Sequence, residues 1–177
     1  SDGTFRDVGQ SLGLKDDGKG LGVVLADFDQ DGWLDIYVAN DTTANYLYLN
    51  RSGEHLEECA ELRGAAYDDR GIPNGSMGLD VVDYNQDGLL DIWVANYENE
   101  SFALYRNVGS SFFAHTSRTA GLTSFGQSYV GFGTVCGDFD LDGDEDIVVS
   151  NGHVIRHPQH STRRQIPLFL KNSAGRF

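Results

Sequence analysis

The chain has 177 residues, with 27 acidic side chains against 13 Lys and Arg and a formal charge of −14. A surface this anionic repels polyanions, so nucleic acid is excluded as a partner of the domain as a whole. No stretch is long and apolar enough to span a bilayer, and 22 glycines among many short apolar runs point to an all-β repeat array.

In chain order, Gly3-Thr4-Phe5-Arg6-Asp7-Val8 opens the sequence, with Phe5 expected to begin a strand, and Gly13-Leu14 follows. Gly22 introduces a strand at 23–26, which enters an acidic loop, Asp27-Phe28-Asp29-Gln30-Asp31-Gly32-Trp33-Leu34-Asp35; a strand at 36–40 leaves it. A third strand is expected at 46–50 and a fourth from Leu56. The same order returns with Gly78, 79–82, the loop Asp83 to Asp91, 92–96, 103–107 and Phe113. It returns again with Gly133, 134–137, the loop Asp138 to Asp146, 147–151 and 168–172, and Phe177 aligns with Phe5.

Four short antiparallel strands per unit of about fifty-five residues describe a β-propeller blade. The expected fold is therefore all-β, with three four-stranded antiparallel blades in repeat units 1–52, 53–108 and 109–177. Residues 1–177 then form one propeller segment, with an insertion at 152–167. Three blades do not close a ring, which needs about four to eight. The chain reads as a fragment of a larger propeller, its open edges covered by the remaining blades or by another copy. Cys59 and Cys136 fall in strand columns of different repeats and are expected to be free, buried thiols.

The loop spacing carries the chemistry. Calcium is a hard cation taking about six to eight oxygens, and carboxylates at loop positions one, three, five and nine can wrap it if the chain turns sharply after position five. Gly32, Gly88 and Gly143 supply that turn. The side-chain ligands would be Asp27, Asp29, Asp31 and Asp35; Asp83, Asn85, Asp87 and Asp91; and Asp138, Asp140, Asp142 and Asp146. Position seven offers its backbone carbonyl, which leaves its side chain free to vary as Trp33, Leu89 and Asp144. An EF-hand would need a bidentate Glu at position twelve, where Val38, Val94 and Val149 stand instead. Three Ca2+ sites are expected. Trp33, Trp93, Phe28, Tyr84 and Phe139 are read as packing between blades.

The loop, the preceding glycine and the following Val-Ala-Asn run resemble the FG-GAP or VCBS repeats of the integrin α-subunit propeller. A closer resemblance is to the ASPIC/UnbV, cartilage acidic protein-like, family. It rests on Gly3 to Val8 with Gly13-Leu14, on Phe113 to Thr116 with Gly121-Leu122, and on Ser150-Asn151-Gly152-His153-Val154. The resemblance implies a larger, seven-bladed ring, calcium in the loop between the first two strands of each blade, and an extracellular, cell-surface or periplasmic scaffold for adhesion or ligand recognition. It supplies no catalytic residue.

In a propeller, the loops opposite the calcium sites would meet a protein or glycan ligand. The insertion on that face carries His153, Arg156, His157, His160, Arg163 and Arg164, a cationic segment on an anionic domain and a candidate contact for an acidic partner. The alternative is part of a secreted, calcium-dependent polysaccharide lyase or hydrolase, whose acid and base groups would have to come from that same concentration of His and Arg.

Overall fold

A computed structural model describes residues 3–126 and 128–177. The first sheet contains β1 (Gly20–Ala26), β2 (Asp35–Asn40), β3 (Tyr46–Arg51) and β4 (His55–Glu58), hydrogen-bonded in that order. The second contains β5 (Leu79–Val82), β6 (Asp91–Val94), β7 (Ala103–Asn107) and β8 (Phe113–His115), and the third β9 (Gly131–Gly137), β10 (Asp146–Asn151) and β11 (Leu168–Leu170). Every pairing is antiparallel, and in each sheet the first two strands meet across the acidic loop: Ala26 opposite Asp35, Val82 opposite Asp91, Gly137 opposite Asp146. These are propeller blades in an arc; they do not close a ring.

Blade packing follows from strand alternation. On β2, Tyr37 and Ala39 point into the junction with the second blade, where they meet Leu47, Leu49, Ile92, Val94 and Tyr105. Trp93, Phe102, Leu104, Ile147, Val149 and Leu170 fill the second junction. The middle blade is covered on both faces, so β6 is buried at all four positions. β1, by contrast, turns Leu21, Val23 and Leu25 outward, each more than half exposed.

After each fourth-strand column comes a short helical turn. α1 (Gly9–Leu12), α2 (Ala60–Arg63) and the turn leading into a 3-10 segment at Leu122–Ser124 each end near a left-handed glycine: Gly13 (φ 98°), Gly64 (φ 78°) and Gly121 (φ 89°). A Cβ on these residues would lie 2.7, 2.4 and 2.6 Å from the carbonyl oxygens of Leu56, Phe113 and Phe177. Glycine is required twice over, by its positive φ and by the close approach of the next repeat's backbone.

The structure corrects several expectations. Phe5 begins no strand and its side chain is fully exposed, because β3 is already paired with β4 and no other third strand lies beside it. The third blade has three strands rather than four: the Ser173 N–H closes a turn on the Arg176 carbonyl, and the Phe177 N–H bonds the Ala120 carbonyl across the blade junction. Cys59 stands at the N-cap position of α2 rather than in a strand, with its thiol on the Leu47 carbonyl instead of the helix. Both thiols are free; Cys59 is buried and Cys136, on β9, is half-buried, and burial pushes both up in pKa. Of the aromatic residues assigned to the junctions, Phe28, Tyr84 and Trp93 are buried, while Trp33 lies against Gly53 in its own blade and Phe139 against Phe169. Trp33 and Phe139 consequently stay 45% and 48% exposed.

Candidate metal centres and the opposite face

The three acidic loops share one backbone conformation, held by their own carboxylates. Asp27 accepts the amides of Asp31 (3.0 Å) and Gly32 (2.9 Å), as Asp83 accepts those of Asp87 and Gly88, and Asp138 those of Asp142 and Gly143. The position-five carboxylates accept the position-seven amides: Asp31 from Trp33, Asp87 from Leu89, Asp142 from Asp144. Position four is left-handed in all three (Gln30 φ 61°, Gln86 φ 55°, Leu141 φ 63°), and so is the glycine at position six (Gly32 φ 90°, Gly88 φ 80°, Gly143 φ 95°). No atom lies within 4 Å of a Cβ on those glycines, so conformation rather than space demands them.

Position nine anchors each loop to the sheet. Asp35, Asp91 and Asp146 are fully buried, and one oxygen of each accepts the amide of an Asn at the end of the third-strand column: Asn50 (2.8 Å), Asn107 (2.7 Å) and Asn172 (2.8 Å). Burial raises the Asp35 carboxyl to about 6 and that of Asp91 to about 7, against the bonds from backbone amides that favour ionisation. The same asparagines close the loop from the other side. Asn107 donates its side-chain amide to Leu90 O and, across the junction, to Phe28 O; Asn172 does the same to Glu145 O and Tyr84 O.

Carboxylates converge as the spacing predicts, in part. Single oxygens of Asp27, Asp29 and Asp35 lie within 4.8 Å of one another, as do those of Asp138, Asp140 and Asp142. Asp31 and Asp146 stand outside these two groups. In the middle loop, the Asn85 amide donates to Asp87 (2.9 Å) while its oxygen stays buried and unpartnered. Asp29 Oδ1, Asp91 Oδ2 and Asp146 Oδ2 are likewise buried without a hydrogen-bond donor. Such atoms are costly unless a partner satisfies them.

Sequence reasoning missed two further sets. A basic side chain reaches each loop: Arg51 to Asp29 (3.5 Å), Arg106 to Asp87 (3.1 Å), and Lys171 to both Asp140 and Asp142. The loops also touch one another. The Gln30 amide donates to Gly88 O (3.0 Å), and that of Gln86 to Gly143 O (2.7 Å) and Asp144 Oδ1 (2.8 Å). Only the recurrence of Gln at position four could have signalled this.

This repeated loop geometry coincides with a family match. The model for the FG-GAP-like repeat matches residues 1–38, 27–94 and 83–149. The chain belongs to the FG-GAP-like repeat family. Among curated proteins, FG-GAP relatives include cartilage acidic protein 1 of Homo sapiens, 30% identical over 165 residues, which covers 89% of this chain and 24% of that protein. The Mus musculus and Xenopus tropicalis forms are each 28% identical, over 88% and 89% of the chain and 24% and 25% of theirs. The chain thus spans about a quarter of the length of these relatives.

The face of the FG-GAP blades opposite the acidic loops carries the insertion. His153 is buried: its Nε2 donates to Glu98 Oε1 (2.9 Å), its Nδ1 accepts the Ile155 amide (3.0 Å), and its ring meets Tyr97 edge-on. Ser161 donates to the other Glu98 oxygen (2.7 Å), and bonds from His153 and Ser161 hold the Glu98 carboxyl below its ordinary range. Ser161 and His153 therefore contact Glu98 and not each other, so they form no nucleophile–base pair. Arg156, His157, His160, Arg163 and Arg164 are exposed. A separate polar cleft of about 260 Å³ lies between the first two blades, lined by Asp68, Asp69, Asn99, His115 and Arg118.

Proposed function

We propose that the chain is a calcium-binding part of an extracellular propeller, in which the ions rigidify the blades while the opposite face presents loops for ligand recognition. The observation that carries this reading is that four of the buried oxygens left without donors, Asp29 Oδ1, Asn85 Oδ1, Asp91 Oδ2 and Asp146 Oδ2, stand at positions three or nine of the acidic loops. An oxygen-only donor set of this size suits a hard divalent cation. Asp27, Asp29, Asp31 and Asp35 would hold the first ion with the Trp33 carbonyl, and Asp138, Asp140, Asp142 and Asp146 the third with that of Asp144. The middle ion would be held by Asp83, Asn85, Asp87, Asp91 and the Leu89 carbonyl. Extracellular placement is supported by the relatedness to cartilage acidic protein 1.

Binding to the native state alone raises stability by mass action. Adding millimolar Ca2+ to chelator-treated protein is expected to raise the melting temperature, with affinity in the range of about 10⁻⁶–10⁻³ M for extracellular sites. An identical melt with and without the ion, with metal content verified by elemental analysis, would reject the structural role.

A further inference from the structure

The chain is short of cations, and five of its ten arginines are committed through their side chains. Arg51, Arg70, Arg106 and Arg118 each pair with a carboxylate, and Arg63 donates to Ser110 O while lying over the Phe112 ring. Among the described residues, Arg6, Arg156, Arg163, Arg164 and Arg176 pair with none, although the chain carries 27 acidic side chains, and three of these five lie in the insertion.

The segment that bears them is nevertheless anchored. The Gly152 amide bonds Val130 O, the His153 amide bonds Arg163 O, and Gly152 bridges Arg164 in antiparallel register. Gln165 Oε1 accepts the Val130 amide (2.9 Å) while its amide donates to Ser128 O (3.1 Å). His153 and Ser161 are both tied to buried Glu98. Arg164 thus stands on a cleft of about 300 Å³, lined also by Ser128, Tyr129, Ser161, Thr162, Gln165 and Ile166.

No carboxylate among the described residues lines this cleft. Glu98 lies behind Ser161 with both oxygens engaged, one by His153. Thr162 spends its hydroxyl hydrogen on Arg164 O, and Ser161 spends its own on Glu98. Among the described residues, the donors left over are the Arg164 guanidinium and the hydroxyls of Ser128 and Tyr129. A guanidinium and two hydroxyls on the lining of one cleft are donors suited to an oxyanion.

We propose that this cleft binds the oxyanion, sulfate or carboxylate, of an acidic glycan, with Arg156 and Arg163 attracting the rest of the chain. A cleft of this volume, with the apolar surfaces of Tyr129 and Ile166 beside its hydroxyl and guanidinium groups, takes one ring-sized unit, whereas a protein partner needs a broad interface of roughly 800 Å² on each side. The site is independent of the acidic loops, which lie on the other face.

Titration of the full chain with dextran sulfate and with polygalacturonate is expected to show binding by at least one, the tighter identifying the oxyanion, and none by neutral dextran. Arg164→Gln should weaken that binding about tenfold, and Tyr129→Phe by about fivefold, with melting curves unchanged. Arg118→Gln, on the same face, should have no effect. Unaltered binding by the Arg164→Gln and Tyr129→Phe variants, equal binding of neutral dextran, or equal binding of polyglutamate would overturn the proposal.

Discussion

Single side chains decide how firmly one blade holds the next. Asn50, Asn107 and Asn172 occupy one column, yet only Asn107 and Asn172 reach a carbonyl of the preceding blade, at Phe28 and Tyr84. Replacing a buried donor leaves its acceptors unsatisfied, at about 1–3 kcal/mol. Asn107→Ala and Asn172→Ala are therefore expected to lower stability by about 2–3 kcal/mol, and Asn50→Ala by about 1 kcal/mol, as read from urea midpoints at constant slope. Equal losses at all three positions would show that the cross-blade bonds contribute nothing. His115 supplies a pH term. Its ring, set edge-on against Tyr105, is desolvated by burial, which lowers its pKa below 6.5 despite the nearby Asp68 and Asp69. A histidine whose folded pKa is depressed binds its proton more readily when unfolded. The stability it supports is present above the unfolded value and is lost as pH falls through about 6.5 toward the lower folded value. The drop in melting temperature between pH 7.5 and 5.5 should shrink in His115→Gln; an unchanged drop would place the titration elsewhere.

Between the residue and the ring lies the acidic loop, and here the sequence was readable to different depths. The three loops, their glycines and the strands on either side were legible because carboxylate spacing and β alternation are local. The paired and unpaired oxygens were not, because Asp35, Asp91 and Asp146 are fixed by amides 15 to 26 residues away. Nor was the buried Glu98 beneath the insertion, whose partners His153 and Ser161 lie 55 and 63 residues further on. Strand count failed where pairing required a neighbour, as at Phe5. The least visible feature was the chain of contacts from loop to loop through Gln30 and Gln86, which end on the position-six carbonyls Gly88 O and Gly143 O. If the loops hold calcium, filling one loop orders the residue that clasps the next, and the coupling free energy is reciprocal. Calorimetric titration should show positive cooperativity that Gln30→Ala weakens between the first and second sites and Gln86→Ala between the second and third. Leu141 occupies the same column in the third loop and is largely exposed, so Leu141→Ala should leave the titration unchanged. Identical isotherms for parent and both Gln variants would remove the coupling.

For the whole molecule, the arc leaves two sheet faces without a facing blade. Leu21, Val23 and Leu25 on the first sheet, and Val135 and Phe169 on the third, are each between 46% and 65% exposed. The contrast with the middle sheet is direct, since every residue of β6 is buried between two neighbours. Exposed faces of this kind promote association unless something covers them. Because the chain spans about a quarter of its FG-GAP relatives, the occupant favoured here is further blades of a longer polypeptide, placed as the second blade is placed on the first. The 177-residue chain alone is then expected to self-associate with rising concentration, and a polypeptide extended by neighbouring repeats at both ends to remain monomeric. Val23→Lys and Val135→Lys should each suppress association of the isolated segment by setting a charge in the apolar face. Both substitutions lie outside the two blade junctions, so the melt of the monomer should barely move. Sedimentation velocity across a hundredfold concentration range checks this: a monomer at every concentration, for parent and variants alike, would mean that these faces tolerate water and that the arc is complete without neighbours.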